Sequence, residues 1–316
     1  MPSKNQPFHP ANRHQGNYDF AHLTEVSADL LDHISLNDHG NTSIDFTDPT
    51  AVKALNAAIL KAYYKIVYWN IPQGQLCPAI PGRADYVHYL ADLLRISNQG
   101  KLPKKHRLTV LDIGTGASGI YPLLGVADYG WTFVATDINP ASIANVQKIL
   151  AANPTFAAQI TLRLQPDEKA IFKHIVTDDD WFDLTMCNPP FHASLAEAQS
   201  GTQRKWNNLG KAQSTKNQAP LLNFGGQGAE LWCPGGELAF IERMILESVA
   251  ISGRCFWFSC LVSKSANLVP LKALLKRVHV QDLREIDMAQ GNKQSRFLAW
   301  TFLTSTQQTA WKKLRW

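Results

Sequence analysis

An α/β fold is predicted by three features of the chain: a doubly wound, seven-stranded sheet with an antiparallel terminal hairpin, preceded by a mostly helical N-terminal extension. From residue 108 onward, short runs rich in Val, Ile and Phe alternate with helical segments, the pattern of a mostly parallel sheet with crossover helices. The last two runs are joined by AQGNKQS, too short for a crossover helix, so they must pair antiparallel. A glycine-rich turn follows the first run directly and opens a helix.

The first 100 residues read differently. A polar arm rich in His and Asn precedes helix-like segments at 21–34, 49–65 and 83–97. Asp48-Pro49 marks a helix start, because proline fits the first helical position, where its missing N–H would have no partner. The basic knot KLPKKHR at 101–107 reads as a linker between a helical extension, 1–100, and an α/β domain, 101–316. Strands are expected at 108–113, 132–137, 160–164, 182–187, 255–262, 280–288 and 296–303. Helices are expected over 118–127, 140–152, 227–250 and 267–277.

With 316 residues, 45% of them hydrophobic and 18% charged, the chain can bury one large core or two modest ones, which excludes disorder and fibrous repeats. The amino terminus lacks the apolar stretch of a signal peptide, and no run approaches the roughly 18 apolar residues of a membrane span. A soluble, cytoplasmic protein with no membrane partner is expected. Cys77, Cys187, Cys233, Cys255 and Cys260 form no C-x-x-C pair and read as reduced core residues. No metal site is expected, since His9, His14 and His192 have no carboxylate or cysteine partners at metal-ligand spacing.

Lys plus Arg number 31 against 26 Asp plus Glu, a net charge of +5 that tilts the chain mildly towards an anionic partner. The charge is uneven. Between Glu197 and Glu230 there is no acid, while Arg204, Lys205, Lys211 and Lys216 occur there. After Asp287 there is again no acid, yet Lys293, Arg296, Lys312, Lys313 and Arg315 follow, the last three framed by Trp311 and Trp316.

The glycine-rich turn lies in Val110-Leu111-Asp112-Ile113-Gly114-Thr115-Gly116-Ala117-Ser118-Gly119. Glycine there lets the main chain approach a ligand closely, but G-x-G-x-x-G alone does not name the ligand. Asp112, just before the first glycine, would repel a pyrophosphate and suits a cationic sulfonium with an amino acid head. Asp137 ends the second strand, where a carboxylate can accept two hydrogen bonds from a ribose diol. Asn139-Pro140 then opens the next helix and holds Asp137 on a short loop. The alternatives are a turn carboxylate for Asp112 and a solvated loop acid for Asp137.

Asn188-Pro189-Pro190-Phe191-His192 closes the fourth strand. An exocyclic amine on a planar base is a poor nucleophile, because its lone pair is delocalised into the ring. The Asn188 side-chain carbonyl and the Pro189 main-chain carbonyl can accept its two hydrogens and so aim the lone pair at a methyl group. Two prolines keep the loop rigid and its carbonyls free. Phe191 offers a face for stacking, an interaction worth about 1 to 3 kcal/mol. Orientation alone can supply about 7 to 11 kcal/mol to such an in-line displacement, so no strong base is required. A rigid strand-exit turn without catalytic use is the alternative.

LDIGTGAS followed by NPPF resembles the Rossmann-like class I methyltransferases that use S-adenosylmethionine to methylate amines. The wider set, HPANRHQGNYDF at 9–20, IPGRADYVHYLADLL at 80–94, NPPFHAS at 188–194 and LWCPGGE at 231–237, is similar to the RlmF family of ribosomal large-subunit adenine N6-methyltransferases across essentially the whole chain. That resemblance implies methylation of one adenine in 23S rRNA, nucleotide 1618 in the usual rRNA numbering, with S-adenosylmethionine as donor. The partner is then 23S rRNA or a large-subunit assembly intermediate, and a monomer is expected. The resemblance makes Asn188, Pro189, Pro190 and Phe191 the catalytic tetrad, Gly114 and Gly116 the cofactor turn and Asp137 the ribose acid; Asp112 and Asn188 are also expected to bind the cofactor. Arg83 matches an arginine used on the cofactor carboxylate, for which a guanidinium fork is suited. An ion pair of Arg83 with Asp85 or Asp92 is the alternative.

In the arm, Ala11 stands where a basic residue is expected from the resemblance, which leaves Arg13 and His14 as the expected RNA contacts. Arg204, Lys205 and Lys211, with Lys216, are expected to hold phosphates around a splayed base, and Trp206 and Phe224 to stack, with a solvated surface loop as the alternative. The WKKLRW tail reads as a solvated basic segment more than as an RNA clamp. Rival readings are a guanine N2-methyltransferase of rRNA, a nicotinamide oxidoreductase and a non-catalytic RNA-binding module.

Overall fold

The computed structural model describes residues 8–37, 40–104, 108–192, 232–290 and 293–316. The extension holds α1 (Phe20–Val26), a 3-10 turn at Ala28–His33, a small hairpin of β1 (Ile34–Leu36) and β2 (Thr42–Ile44), α2 (Pro49–Tyr64) and α3 (Ile80–Ser97). Asp48 caps α2 through its carboxylate, accepting from Thr50 N at 2.8 Å, with Pro49 at the first helical position as expected. The hairpin leaves no signature in the sequence, because each strand has only three residues, too few to show alternation.

The sheet is made of β3 (Thr109–Ile113), β4 (Thr132–Asp137), β5 (Ile160–Leu164), β6 (Phe182–Cys187), β7 (Cys255–Leu261), β8 (Asp282–Gln290) and β9 (Lys293–Thr301). Its order is β5-β4-β3-β6-β7-β9-β8, parallel except where β9 runs antiparallel to β7 and β8. All seven expected strands are present, and the terminal hairpin is antiparallel. The crossovers carry α4 (Ile120–Tyr129), α5 (Pro140–Ala151), the single turn α6 (Pro154–Ala157), α7 (Gly236–Ser248) and α8 (Leu268–Arg277). From β3 the chain winds outward through β4 and β5, then returns to β6 and β7. The order therefore reverses between β3 and β6, and the crevice beyond their C-terminal ends is where such sheets bind ligands.

Each sheet face has its own core. Val110, Leu184 and Met186 point to one face and Leu111, Ile113 and Cys187 to the other, as the pleat requires. Helices α7 and α8 cover the second face. The extension covers the first: Leu23, Leu60, Tyr86 and Leu94 belong to one cluster with Val110, Phe133 and Met186. The division at residue 100 is therefore a change of local structure within one continuous core.

A last helix, α9 (Ser305–Arg315), corrects the solvated reading of the tail. It starts with a capping box between Thr304 and Gln307. Trp311 is buried, and Lys312 Nζ donates to Ser97 O at 2.9 Å, covering a carbonyl at the end of α3. The anchor is Asp183, fully buried on β6. It accepts from Thr109 N at 2.8 Å, from the indoles of Trp311 and Trp316 at 2.7 and 2.8 Å, and from Arg315 Nη2 at 3.2 Å.

Candidate active site

The glycine-rich turn begins where β3 ends. Gly114 has φ +75°, and the N–H groups of Gly114 and Thr115 both donate to Thr136 O, at 3.0 and 2.8 Å. Gly119, at φ +56°, caps α4, and a Cβ there would meet Val146 Cγ1 at 3.0 Å, so glycine lets α5 pack close. The extension braces the turn from outside. Trp69 Nε1 donates to Ser118 O at 2.9 Å, and Asn145 Nδ2 on α5 bridges Ala117 O and Asn70 O.

Asp137 is not a solvated loop acid. Its Oδ2 accepts from Gly116 N and its Oδ1 from Asn139 N, both at 2.8 Å, so it fastens the turn to the end of β4. Burial raises its pKa above the usual carboxylate range even against these backbone donors. Asn139 in turn caps α5 by accepting from Ala141 N at 2.9 Å.

Arg83 stands on the first turn of α3 and does not pair with Asp85 or Asp92. Asp85 accepts from His9 N and the Asn12 amide, while Asp92 pairs with His9 and Arg95. Arg83 Nη1 donates to Tyr121 Oη at 2.9 Å, and its guanidinium sits 5.5 Å from the centre of the Tyr121 ring. Tyr121 is buried, which pushes its hydroxyl up to about 12 despite the neighbouring guanidinium.

Asp112 is fully buried, and neither carboxylate oxygen has a hydrogen-bond partner; Thr115 Oγ1 lacks one too. Burial is the main force pushing its pKa up to about 7, with Asp137 adding to the shift. The Thr115 hydroxyl, near but short of hydrogen-bond geometry, and the Arg83 cation oppose it. A buried acid left without donors is costly unless a cation or donor completes it.

One cavity of about 740 Å³ joins these parts. Arg83, Gly114, Gly116, Asp137, Asn188 and Pro190 all line it, so most of the expected cofactor and catalytic positions converge. The volume falls in the range of about 300 to 1,000 Å³ typical of ligand sites. Asp112 sits next to the lining residues Ile113 and Gly114, within electrostatic reach of Arg83 and Asp137. Pro189 is buried, whereas Phe191 is only partly buried and is not among the residues lining the cavity.

The remaining walls were not foreseen. Gln165 Nε2 donates to Lys173 O at 2.9 Å, and Glu247 Oε2 on α7 accepts from the N–H groups of Ile171 and Phe172, both at 2.9 Å. These bonds shape the loop after β5 that closes one side. Trp232, Cys233 and Pro234 close another: Trp232 forms a parallel bridge with His192, and Cys233 N donates to His192 O at 3.1 Å. Glu237 is buried, and its carboxylate pins the loop after β7 through Ser263 N at 2.6 Å and Asn267 Nδ2 at 2.7 Å. Apart from Gln165 and Lys173, the members of these pairs lie 26 or more residues apart.

The arm overturns one expectation. His14 is buried, not offered to RNA: its Nε2 meets Tyr64 Oη at 2.8 Å, and burial with Arg13 nearby pulls its pKa down to about 4. A neutral imidazole enclosed by Tyr18, Tyr63 and Tyr64 cannot serve as a phosphate contact. Arg13 is partly exposed but holds Asp128 at 2.5 Å and Tyr63 O at 2.7 Å, a strap from the arm onto α4 and α2. Arg204, Lys205, Lys211 and Lys216, with Trp206 and Phe224, lie outside the described residues. Among the described residues no cluster of three His, Cys, Asp or Glu is placed to hold a metal, and no helix is long and apolar enough to cross a membrane.

A family model of RNA methyltransferases matches residues 2–304. Ribosomal RNA large subunit methyltransferase F of Pseudomonas aeruginosa (strain LESB58) is 56% identical over 310 residues, 98% of this chain and 92% of the relative. The protein of that name from Shewanella halifaxensis is 51% identical over 327 residues, 98% and 86% of the two chains. Among solved structures, the N-terminal domain of human METTL16 in complex with SAH superposes with a TM-score of 0.73 at 29% identity, covering 95% of this chain and 100% of the other. The hMettl16 catalytic domain in complex with MAT2A 3′UTR hairpin 6 gives a TM-score of 0.77 at 31% identity, covering 95% and 99%.

Proposed function

The chain belongs to the RNA methyltransferase family, and with the ribosomal RNA large subunit methyltransferase F proteins within it; on that premise we propose that it methylates the N6 amine of one adenine in 23S rRNA, nucleotide 1618. The observation that carries the reading is a single cavity lined by both the glycine turn with Asp137 and the Asn188–Pro190 turn, because a methyl transferase must hold donor and acceptor in line.

The donor is S-adenosylmethionine, which supplies an electrophilic methyl on a sulfonium. The residues present fit it. Asp112 is a buried carboxylate without donors, which a positively charged amino acid head and sulfonium nearby would complete. Arg83, held by Tyr121, offers its fork to a carboxylate, and Asp137 retains lone pairs for a ribose diol while it accepts from Gly116 and Asn139. Pro78, Ile113 and Ile138 supply apolar wall.

On the acceptor side, the Asn188 amide oxygen and the Pro189 carbonyl accept the two amine hydrogens and localise the nitrogen lone pair. Methylation makes the amine nitrogen cationic and strongly acidic, so its proton passes to solvent without a dedicated base. The adenine must be unpaired or turned out of its stack to reach Asn188. The substrate is 23S rRNA or an assembly intermediate of the large subunit, and the enzyme acts as a monomer in the cytoplasm.

The test is nucleoside mass mapping of 23S rRNA from cells with and without the gene, joined to in vitro transfer by the wild type and two variants. N6-methyladenine at that position should vanish without the gene. Asn188→Ala should abolish transfer while costing less cofactor affinity than Asp137→Ala, which should weaken cofactor binding first. A missing N2-methylguanine instead, or transfer that survives in Asn188→Ala, would overturn the assignment.

A further inference from the structure

We propose that Trp232 is the stacking wall of the target-base slot, the residue that fixes the plane of the adenine presented to Asn188. The inference rests on the reading just given. Hydrogen bonds from the base to Asn188 and Pro189 lie in the plane of the ring, so they fix its edge and leave its tilt open. A π face beside the slot fixes the tilt, and every extruded base has a face to offer it.

Phe191 carries this role in the sequence reading, yet it is not among the residues lining the cavity. Among the described residues three aromatic side chains are: Tyr121, Trp232 and Phe240. Tyr121 is buried at the glycine-turn end, with its hydroxyl on Arg83 and its ring edge-on to Tyr86 at 5.6 Å. Phe240 packs from α7 against the apolar cluster beneath the sheet. Trp232 belongs to neither core cluster and remains partly exposed within the cavity.

Its backbone is keyed to the catalytic turn. The parallel bridge to His192 sets Trp232 beside the strand end only two residues past Pro190, and the bond from Cys233 N to His192 O holds that register. Cys233 Sγ then donates to Gly236 O at 3.3 Å at the start of α7, so the indole is carried on a segment tied at both ends. A large apolar ring on the wall of the cavity that Asn188 also lines, bridged through its backbone to His192 and outside the core, is placed for a planar ligand.

The probes are a transcript of the rRNA segment around the adenine and the same transcript with 2-aminopurine at that position. Trp232→Ala should lower kcat/KM for the transcript by roughly tenfold or more, the scale of one lost stacking contact, and Trp232→Phe should restore most of it. Affinity for S-adenosylhomocysteine, read by calorimetry, should not change in either variant. The 2-aminopurine should be quenched more in complex with the wild type than with Trp232→Ala. Wild-type kcat/KM in Trp232→Ala, or equal quenching, overturns the proposal. Should Trp232→Ala lose cofactor affinity through local collapse, Trp232→Phe decides: emission no brighter than with the wild type overturns the proposal, and brighter emission supports it. A wild-type enzyme that leaves every adenine unmethylated, both in the transcript and in large-subunit particles from cells without the gene, sinks the methylation reading itself and is scored before any variant.

Discussion

Two fully buried aspartates on adjacent strands, Asp112 on β3 and Asp183 on β6, have opposite surroundings. Asp183, at the start of its strand, accepts from a backbone N–H, two indoles and the Arg315 guanidinium. Asp112, at the end of its strand beside the glycine turn, accepts from nothing, and its pKa is pushed up to about 7. The same side chain at the same burial is a structural anchor in one place and an incomplete electrostatic site in the other. A buried acid whose donors all come from the chain stabilises the fold, whereas one left without donors beside an open cavity is set for a ligand.

The largest effect expected from breaking this contrast is on Asp183. Asp183→Ala leaves two indole N–H groups and a guanidinium without their acceptor, and should lower unfolding free energy in urea by about 3 to 5 kcal/mol, the scale for disrupting a buried ion pair. Below its melting temperature the variant should bind S-adenosylhomocysteine as the wild type does, because the anchor lies at the opposite end of β6 from Asn188. A loss of cofactor affinity as large as the loss of stability would erase the distinction between the two ends.

Asp112→Asn should act the other way, weakening cofactor binding while sparing the fold. Its carboxyl is raised from 3.8 to about 7, so the stability tied to its protonated form is complete below 3.8 and is lost as pH climbs through about 7. Wild-type stability relative to Asp112→Asn should therefore fall across that window, by up to ~1.4 kcal/mol per pH unit. Parallel pH profiles of unfolding for the two proteins check this, and a constant difference would mean that Asp112 is ionised throughout.

The smallest effect concerns the arm. His14 is neutral when folded, its pKa pulled from 6.5 to about 4, so stability from its burial is present above 6.5 and is lost as pH falls through about 4. At neutral pH, His14→Gln should leave RNA affinity and its salt dependence unchanged in filter binding. A weaker salt slope in that variant would return His14 to the RNA surface.

How much of this was legible varied with the range of the interaction. Strand positions, the glycine turn and the Asn188–Pro190 turn are written in local patterns: apolar runs, glycines where φ is positive, prolines after an asparagine. Their convergence on one cavity follows from the reversal of strand order between β3 and β6, which the alternation of strands and helices implies. The arm and tail were read from composition, and composition misled. His14 and the WKKLRW segment are polar or basic, yet they are packed because Tyr64, Asp128 and Asp183 supply partners far away along the chain.

The sequence by itself determined the sheet, the cofactor turn and the chemistry offered at Asn188, because each depends on residues adjacent in the chain and on backbone preferences that act locally. Only the tertiary structure decided that Arg83 answers to Tyr121 rather than to Asp85, that Trp232 stands beside the catalytic turn, and that one buried aspartate is satisfied while the other is not. Whether a polar group is buried with or without a partner depends on which distant segments meet, and no local pattern encodes that meeting.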